Sequence, residues 1–266
     1  MVKLCSDTDF VEAALDYIGA NYRKVPYCYI NLKKYGVSNP DVTVWCDLEG
    51  NHVQGIYLLY YDCLHFVTYE ADYEYDRLFD MIEKQNPKVV MLQGEVGEQV
   101  EEKLEHIFSV EKNYVIDLGF SVKGELSDRV SVACRADMKE IAALMVNDAE
   151  YVNVYQEEIL LNQLYSRYDD SFARNFVIRE QDMITAHFCT YGEVDRFTML
   201  GGLLVHPEHR RKGLGSEISK HAYEVLHREG KDIVGFVNYH NGPSLELHMG
   251  LGAKPISSLY KFVRKG

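Results

Sequence analysis

No stretch of this 266-residue chain is apolar for long enough to cross a membrane, and its opening, MVKLCSDTDF, turns acidic before any apolar run begins. That opening matches neither a secretory signal nor an anchor, so the expected location is the cytoplasm. The six cysteines, Cys5, Cys28, Cys46, Cys63, Cys134 and Cys189, include no C-x-x-C pair. A chain of this length needs no disulfide staples, so they are expected to be reduced, buried thiols. Positive charge is scarce: 28 lysines and arginines stand against 41 aspartates and glutamates, a formal net charge of −13. This balance argues against nucleic acid and anionic membrane as partners, since both ask for a basic face. Low-complexity tracts and short repeats are missing too, and a hydrophobic content of 47% excludes a disordered chain.

Two phosphate signatures are also absent. The P-loop pattern G-x-x-x-x-G-K-[ST] does not occur, and G-x-G-x-x-G fails because Ile218 stands at its third glycine. What is present is LLVHPEHRRKGLGSEISKHA, residues 203–222, which sets Arg210, Arg211 and Lys212 against Gly213 and Gly215. Glycines let successive N–H groups turn into one concavity, and a helix start behind them adds partial positive charge. In an acidic chain this patch points to a small anionic ligand held at one place.

Periodicity organises the second half as a strand at 130–135, a helix capped by Asp137 and a helix at 155–168. Strands at 175–180, 183–190 and up to 205 follow, then a helix at about 214–228, a strand at 232–237, a short helix after Pro243 and a strand at 259–265. The order is β-α-α-β-β-β-α-β-α-β. The first half reads α-β-β-β-α-β-α-β, from a helix at 8–20 to a strand at 113–118. The agreement suggests two copies of one fold, joined within 121–128, with domains 1–124 and 125–266.

Arg210-x-x-Gly213-x-Gly215, directly after a strand ending Val205-x-Pro207, resembles the pyrophosphate loop of the GNAT superfamily of acyl-CoA-dependent N-acyltransferases, whose pattern is R/Q-x-x-G-x-G/A. A second segment, NGPSLELHMGLGA, resembles a later family stretch: Asn241, His248 and Gly252 keep its spacing, with His248 where a tyrosine is expected and Ala253 where a phenylalanine is. The resemblance covers roughly 130–266 and is specific over 203–215. It implies an α/β (α+β) fold with tandem GNAT-like domains, each a mixed, mostly antiparallel central sheet flanked by helices. It also implies acetyl-CoA as co-substrate, no metal, and transfer of the acetyl group to a primary amine of a small molecule or peptide by direct attack in a ternary complex. Backbone around Arg210, Arg211, Lys212, Gly213, Leu214, Gly215 and Ser216 would hold the pyrophosphate, that of Leu203, Leu204 and Val205 the pantetheine, and the Leu203 amide would polarise the thioester. Asn241 would contact CoA, although Asn-Gly-Pro is equally an ordinary lead into a helix with Pro243 in its first turn.

Acyl transfer needs a neutral amine, a donor for the oxyanion and a proton for the leaving thiolate. Many family members carry a glutamate on the strand before the loop, but 197–205 contains no carboxylate. Glu193, Asp195 or His187 could serve as base through water, each having an equally ordinary role as a solvated turn carboxylate or a core histidine. His248 is the expected proton donor, as an imidazole titrating near neutrality, although a histidine near a helix end is also favoured by the dipole alone. Tyr260 is the runner-up. His206 and His209 lack further ligands at metal-site spacing.

In the first half the corresponding junction reads TYEADYEYDRL, with Glu70, Asp72, Glu74 and Asp76 where a pyrophosphate would sit. Carboxylates there repel it. This copy is therefore expected to be degenerate and not to bind CoA, leaving it to pack, to form a homodimer or to shape the acceptor cleft. Its eleven tyrosines before Asp76 read as core or surface. An amine acceptor is expected near Tyr155, Glu157 and Glu158. Two other readings stand beside acetyl transfer: a non-catalytic CoA-binding or partner-binding module, and a structural domain whose basic patch is merely solvated.

Overall fold

The computed structural model describes residues 1–5, 8–120, 125–148 and 156–266. Its first half runs β1 (Val2–Leu4), α1 (Thr8–Ile18), a 3-10 turn (Gly19–Lys24), α2 (Pro26–Tyr35), β2 (Val42–Glu49), β3 (His52–Tyr60), β4 (Cys63–Val67), α3 (Asp76–Gln85), β5 (Val89–Gln93), α4 (Gly94–Leu104) and β6 (Phe108–Asp117). The second runs β7 (Val130–Val132), α5 (Met138–Val146), α6 (Glu157–Asp169), β8 (Asn175–Glu180), β9 (Met183–Val194), β10 (Phe197–Val205), α7 (Leu214–Arg228), β11 (Asp232–Asn238), α8 (Gly242–Leu251) and β12 (Lys254–Arg264). The second half has the order read from its sequence. The first half gains β1, three residues long, and α2, so both halves share β-α-α-β-β-β-α-β-α-β. Periodicity misses α2 because it buries Cys28, Ile30, Asn31, Leu32 and Tyr35 around much of its circumference; Pro26 starts it and Gly36, at φ +52°, ends it. Asp137, read as the cap of α5, uses its carboxylate to accept the Cys134 N–H at 2.7 Å, closing the turn before the helix.

The chain divides into two units: Met1–Val115 with Val237–Asn241 and Pro255–Gly266, and Ile116–Phe236 with Gly242–Lys254. In the first unit the strands lie in the order β1-β2-β3-β4-β5-β12-β6. β4 and β5 run parallel, while β1–β2, β2–β3, β3–β4 and β5–β12 are antiparallel. The chain's last strand thus lies in the first unit, in register from Leu259 opposite Gln93 to Val263 opposite Val89. Leu259, Tyr260, Phe262 and Val263 are all buried, which requires cover on both faces of the strand. Tyr260 and Phe262 join Tyr57, Phe66, Leu92 and Phe108 in the core, and each such ring contributes about 1.5–3 kcal/mol by leaving water.

In the second unit the order is β11-β10-β9-β8-β7. Helices α5 and α6 bury Met138, Ile141, Met145, Leu160 and Leu164 against Val177, Ile184 and Leu204 on one face of this sheet. On the other face Phe176 and Phe188 meet His221, Tyr223 and His248 of α7 and α8. Both sheets are mixed and mostly antiparallel. Among the described residues no helix is long and apolar enough to cross a membrane.

Candidate functional site

The site is built where β10 loses its neighbours. Along β9 the pairing runs Leu200 opposite Thr190 and Gly201 opposite Cys189, then resumes at Leu204 opposite His187. Gly202 and Leu203 therefore face Phe188 alone, a β-bulge that leaves backbone groups without ladder partners. Gly202 sits at φ +64°, which only glycine adopts without strain. On its other edge β10 pairs with β11 from Phe197 to Leu200 and no further among the described pairings. Past that point the strand offers open backbone donors and acceptors to an extended chain.

This open edge leads straight into the basic glycine loop. A 3-10 turn, Pro207–His209, is followed by Arg211 at φ +65° and Gly213 at φ +83°, and α7 starts at Leu214, which is buried. Gly213 holds the N-cap position and supplies no side-chain cap to the first N–H groups of α7, the kind of helix start that suits an anion. Gly215 lies close to its neighbours, since a Cβ there would be 3.3 Å from Leu247 and 3.6 Å from Val205. Arg211 and Lys212 are exposed beside it. Arg210, expected at the ligand, instead ties the loop to its own strand: Nε donates to the Val205 carbonyl at 3.1 Å and Nη2 to the Asp148 carboxylate at 3.1 Å. His209 pairs with Glu180 at 3.0 Å. Among the described residues no group of three or more His, Cys, Asp or Glu could hold a metal.

His248 is buried on α8, and the Tyr223 hydroxyl of α7 hydrogen-bonds its Nδ1. Burial pushes its pKa down to about 4, so the ring is neutral at pH 7. This corrects the expectation of an imidazole titrating near neutrality. Burial likewise raises the Tyr223 phenol. Tyr223 escaped the sequence reading because a tyrosine on the apolar face of a helix looks like any core residue.

The two turn carboxylates stand elsewhere. Glu193 lies opposite Thr198, about 16 Å along the strand from Leu203 at some 3.3 Å per residue. Its carboxylate accepts from Arg174 at 2.7 and 2.9 Å and from Thr190 at 3.1 Å, and lies 3.4 Å from Lys231. Asp195 is exposed at the hairpin tip, at φ +47°, and its carbonyl accepts from Lys231 at 3.1 Å. These contacts tie the β9–β10 hairpin to Arg174 and Lys231. His187 is fully buried beneath the bulge. Asn241 precedes α8 within the first unit, its N–H bonded to the Asn238 carbonyl at 3.0 Å. Tyr260 is a core ring of the first unit with Lys112 above it at 4.9 Å. Glu157 and Glu158 are exposed in the first turn of α6, and Tyr155 lies outside the described residues.

The first unit builds the same place differently. β4 pairs with β3 without a bulge and with β5 through to Phe66 opposite Leu92. Just beyond, the Gln93 side chain donates to the Thr68 carbonyl at 2.7 Å, sewing the two strands together where β10 and β11 part. In the loop that follows, Glu70 meets His52 at 3.1 Å and Glu74 meets Arg77 at 2.9 Å. The tyrosines form core as well as surface: Tyr57 and Tyr73 share a hydroxyl contact of 2.6 Å, and Tyr73 donates to buried Asp47 at 2.8 Å.

Residues 181–261 match a family model described as FR47-like protein. No curated protein matches the sequence. Among solved structures, a Drosophila protein superposes with a TM-score of 0.71 at 13% identity, covering 98% of each chain. A tandem GNAT protein from the clavulanic acid biosynthesis pathway gives 0.64 at 12% identity, over 100% of this chain and 99% of that one. A GNAT-family acetyltransferase from Colwellia psychrerythraea gives 0.62 at 11% identity over the whole of both. At these identities the likeness is one of fold.

Proposed function

From the premise that the chain has the tandem GNAT fold, we propose that its second unit transfers an acetyl group from acetyl-CoA to a primary amine of a small molecule or peptide. The observation that carries the reading is the continuity of three features: a bulged strand, an edge that β11 abandons after Leu200, and a glycine loop opening α7 with no side-chain cap. They suit the three parts of the co-substrate. Pantetheine amides take the open backbone of Leu203, Leu204 and Val205. The pyrophosphate takes the N–H groups of Arg211 to Ser216, with Arg211 and Lys212 beside it and Arg210 bracing the loop. The thioester carbonyl meets the Leu203 amide.

The chemistry asked of the chain is modest. Tetrahedral addition puts negative charge on the carbonyl oxygen, which the Leu203 N–H stabilises. The amine nitrogen forms the new C–N bond as the C–S bond breaks; the amine sheds one proton and the departing sulfur gains one, so the products are an amide and a free thiol. We take Tyr223 to donate to Nδ1, so that neutral His248 carries its N–H at Nε2; that N–H is the hydrogen-bond donor we assign to the leaving sulfur, the proton the sulfur gains being the one the amine sheds. Exposed Glu157 and Glu158 suit a cationic acceptor on its approach. Glu193 and Asp195 are not assigned a chemical step.

A second reading, a CoA-binding module without turnover, is favoured by the absence of any carboxylate in Phe197–Val205 and by the neutrality of His248. Calorimetric titration of acetyl-CoA into wild type and Gly213→Glu, with thiol release followed over an amine panel, separates the two. Binding lost in the variant together with continuous thiol release supports acetyl transfer. Binding with no release on any amine supports the module, and no binding at all defeats both.

A further inference from the structure

Three side chains of β9 close on the bulge in β10. The Gly202 carbonyl lies 2.9 Å from Nδ1 of His187, the Gly201 carbonyl accepts the Cys189 thiol at 3.2 Å, and a Cβ on Gly201 would lie 2.1 Å from the Tyr191 ring. A carbonyl can only accept, so Nδ1 carries the ring proton. The other nitrogen, Nε2, lies 2.9 Å from Oδ1 of Asn175, whose Nδ2 faces the Met138 sulfur at 3.8 Å, and neither nitrogen meets a carboxylate. Burial holds the His187 pKa down to about 4. The ring is therefore neutral and Nε2 is bare, an assignment that requires the Asn175 amide to be turned over from the placement shown, with NH2 toward Nε2 and Oδ1 toward Met138.

The peptide joining Gly202 to Leu203 is planar and trans, so its C=O and N–H point in opposite directions. His187 lies directly across from Val177 and Leu204, on the face covered by α5 and α6. Seating the Gly202 carbonyl there turns the Leu203 N–H toward the opposite face, where Phe188, Tyr223 and His248 lie. A hydrogen bond to the carbonyl also polarises the N–H of the same peptide. We propose that His187 is a positioning residue, whose Nδ1–H seated on Gly202 aims the Leu203 amide at the oxyanion. Cys189, its thiol pushed up to about 12 by burial and so kept as a donor, fixes the preceding peptide in the same way. This inference rests on the acetyl-transfer reading of the site.

The test compares the full-length wild type with His187→Leu, which removes the donor, and His187→Asn, whose amide can place an N–H where Nδ1 stands. Imidazole 15N spectra of the wild type at neutral pH are expected to show Nδ1 protonated; a ring protonated at Nε2 alone overturns the proposal. Acetyl-CoA affinity by calorimetry is expected to stay within about threefold in both variants, while kcat for thiol release falls about 10- to 100-fold in His187→Leu and largely returns in His187→Asn. Wild-type kcat in the leucine variant, or equal loss in both, overturns it. If the wild type fails to bind acetyl-CoA, the acetyl-transfer reading falls, and the Leu203 amide resonance still decides the clamp: it moves in His187→Leu if the clamp exists and stays in place if it does not.

Discussion

Gly97 stands inside α4, where alanine is ordinarily the better helix former by about 1 kcal/mol. Here an added Cβ would lie 2.3 Å from the Tyr260 ring, so the sign reverses. Gly97→Ala is expected to lower stability by about 1–3 kcal/mol through overpacking; denaturant midpoints check this, and a gain in stability would mean that the helix does not press on β12 so closely. The buried histidines carry the second residue-scale prediction. Burial holds His65 at about 3 and His187 and His248 at about 4, below the ordinary value of about 6.5. Between those values the unfolded chain binds more protons than the folded one, so stability rises with pH through that window. The contribution is complete above about pH 6.5 and is lost as pH falls toward about 4. Replacing His248 with Phe is expected to make the fall of Tm between those pH values shallower, and an unchanged slope would show that His248 titrates normally.

At the scale of elements, β12 carries most weight because it comes after the whole second unit in sequence yet is the sixth of seven strands in the first unit. Phe262 is fully buried there, in edge-to-face contact with Phe108 at 6.4 Å. Phe262→Ala is expected to cost about 3–5 kcal/mol, and native-state hydrogen exchange should show protection lost in β5 and β6. Loss confined to β10 and β11 would contradict the placement. Alternation and helical period made the second half legible from its residues, including α7 and β8 to the residue, because α7 buries an apolar stripe and β8 is a short apolar run ended by Arg179 and Glu180. β1 was too short and α2 too evenly buried to show a period. The placement of β12 between β5 and β6 was beyond a reading of local pattern, since a strand's periodicity says which face is buried and nothing about its neighbour. The same limit applied in the site. The glycine loop stood out by charge and spacing, and Gly201-Gly202 hinted at an irregular strand, but the bulge exists only through the register with β9, and the Tyr223–His248 pair only through the packing of α8 on α7.

Across the whole molecule, two copies of one element order have reached opposite states at the same point. In both units the parallel pairing runs four residues from the hairpin, to Leu200 in the second and Phe66 in the first, but beyond that point β10 is bulged and open whereas β4 has no bulge and the Gln93 side chain closes the gap at Thr68. A Thr68 carbonyl already held by Gln93 is not open to an extended ligand, and the paired carboxylates of Glu70 and Glu74 further discourage a diphosphate. Acetyl-CoA is therefore expected to bind with a stoichiometry of one per chain. A ligand stabilises only the state it binds, by about 2.7 kcal/mol at a hundred times its Kd. Hydrogen exchange at that concentration should slow at amides from Leu203 to Ser216 and leave those of β4 and β5 unbonded to any new partner, with unchanged local opening. Two sites by calorimetry, or new protection between Thr68 and Asp76, would mean that Gln93 opens as a latch, and that the first copy has kept the cleft that this side chain closes.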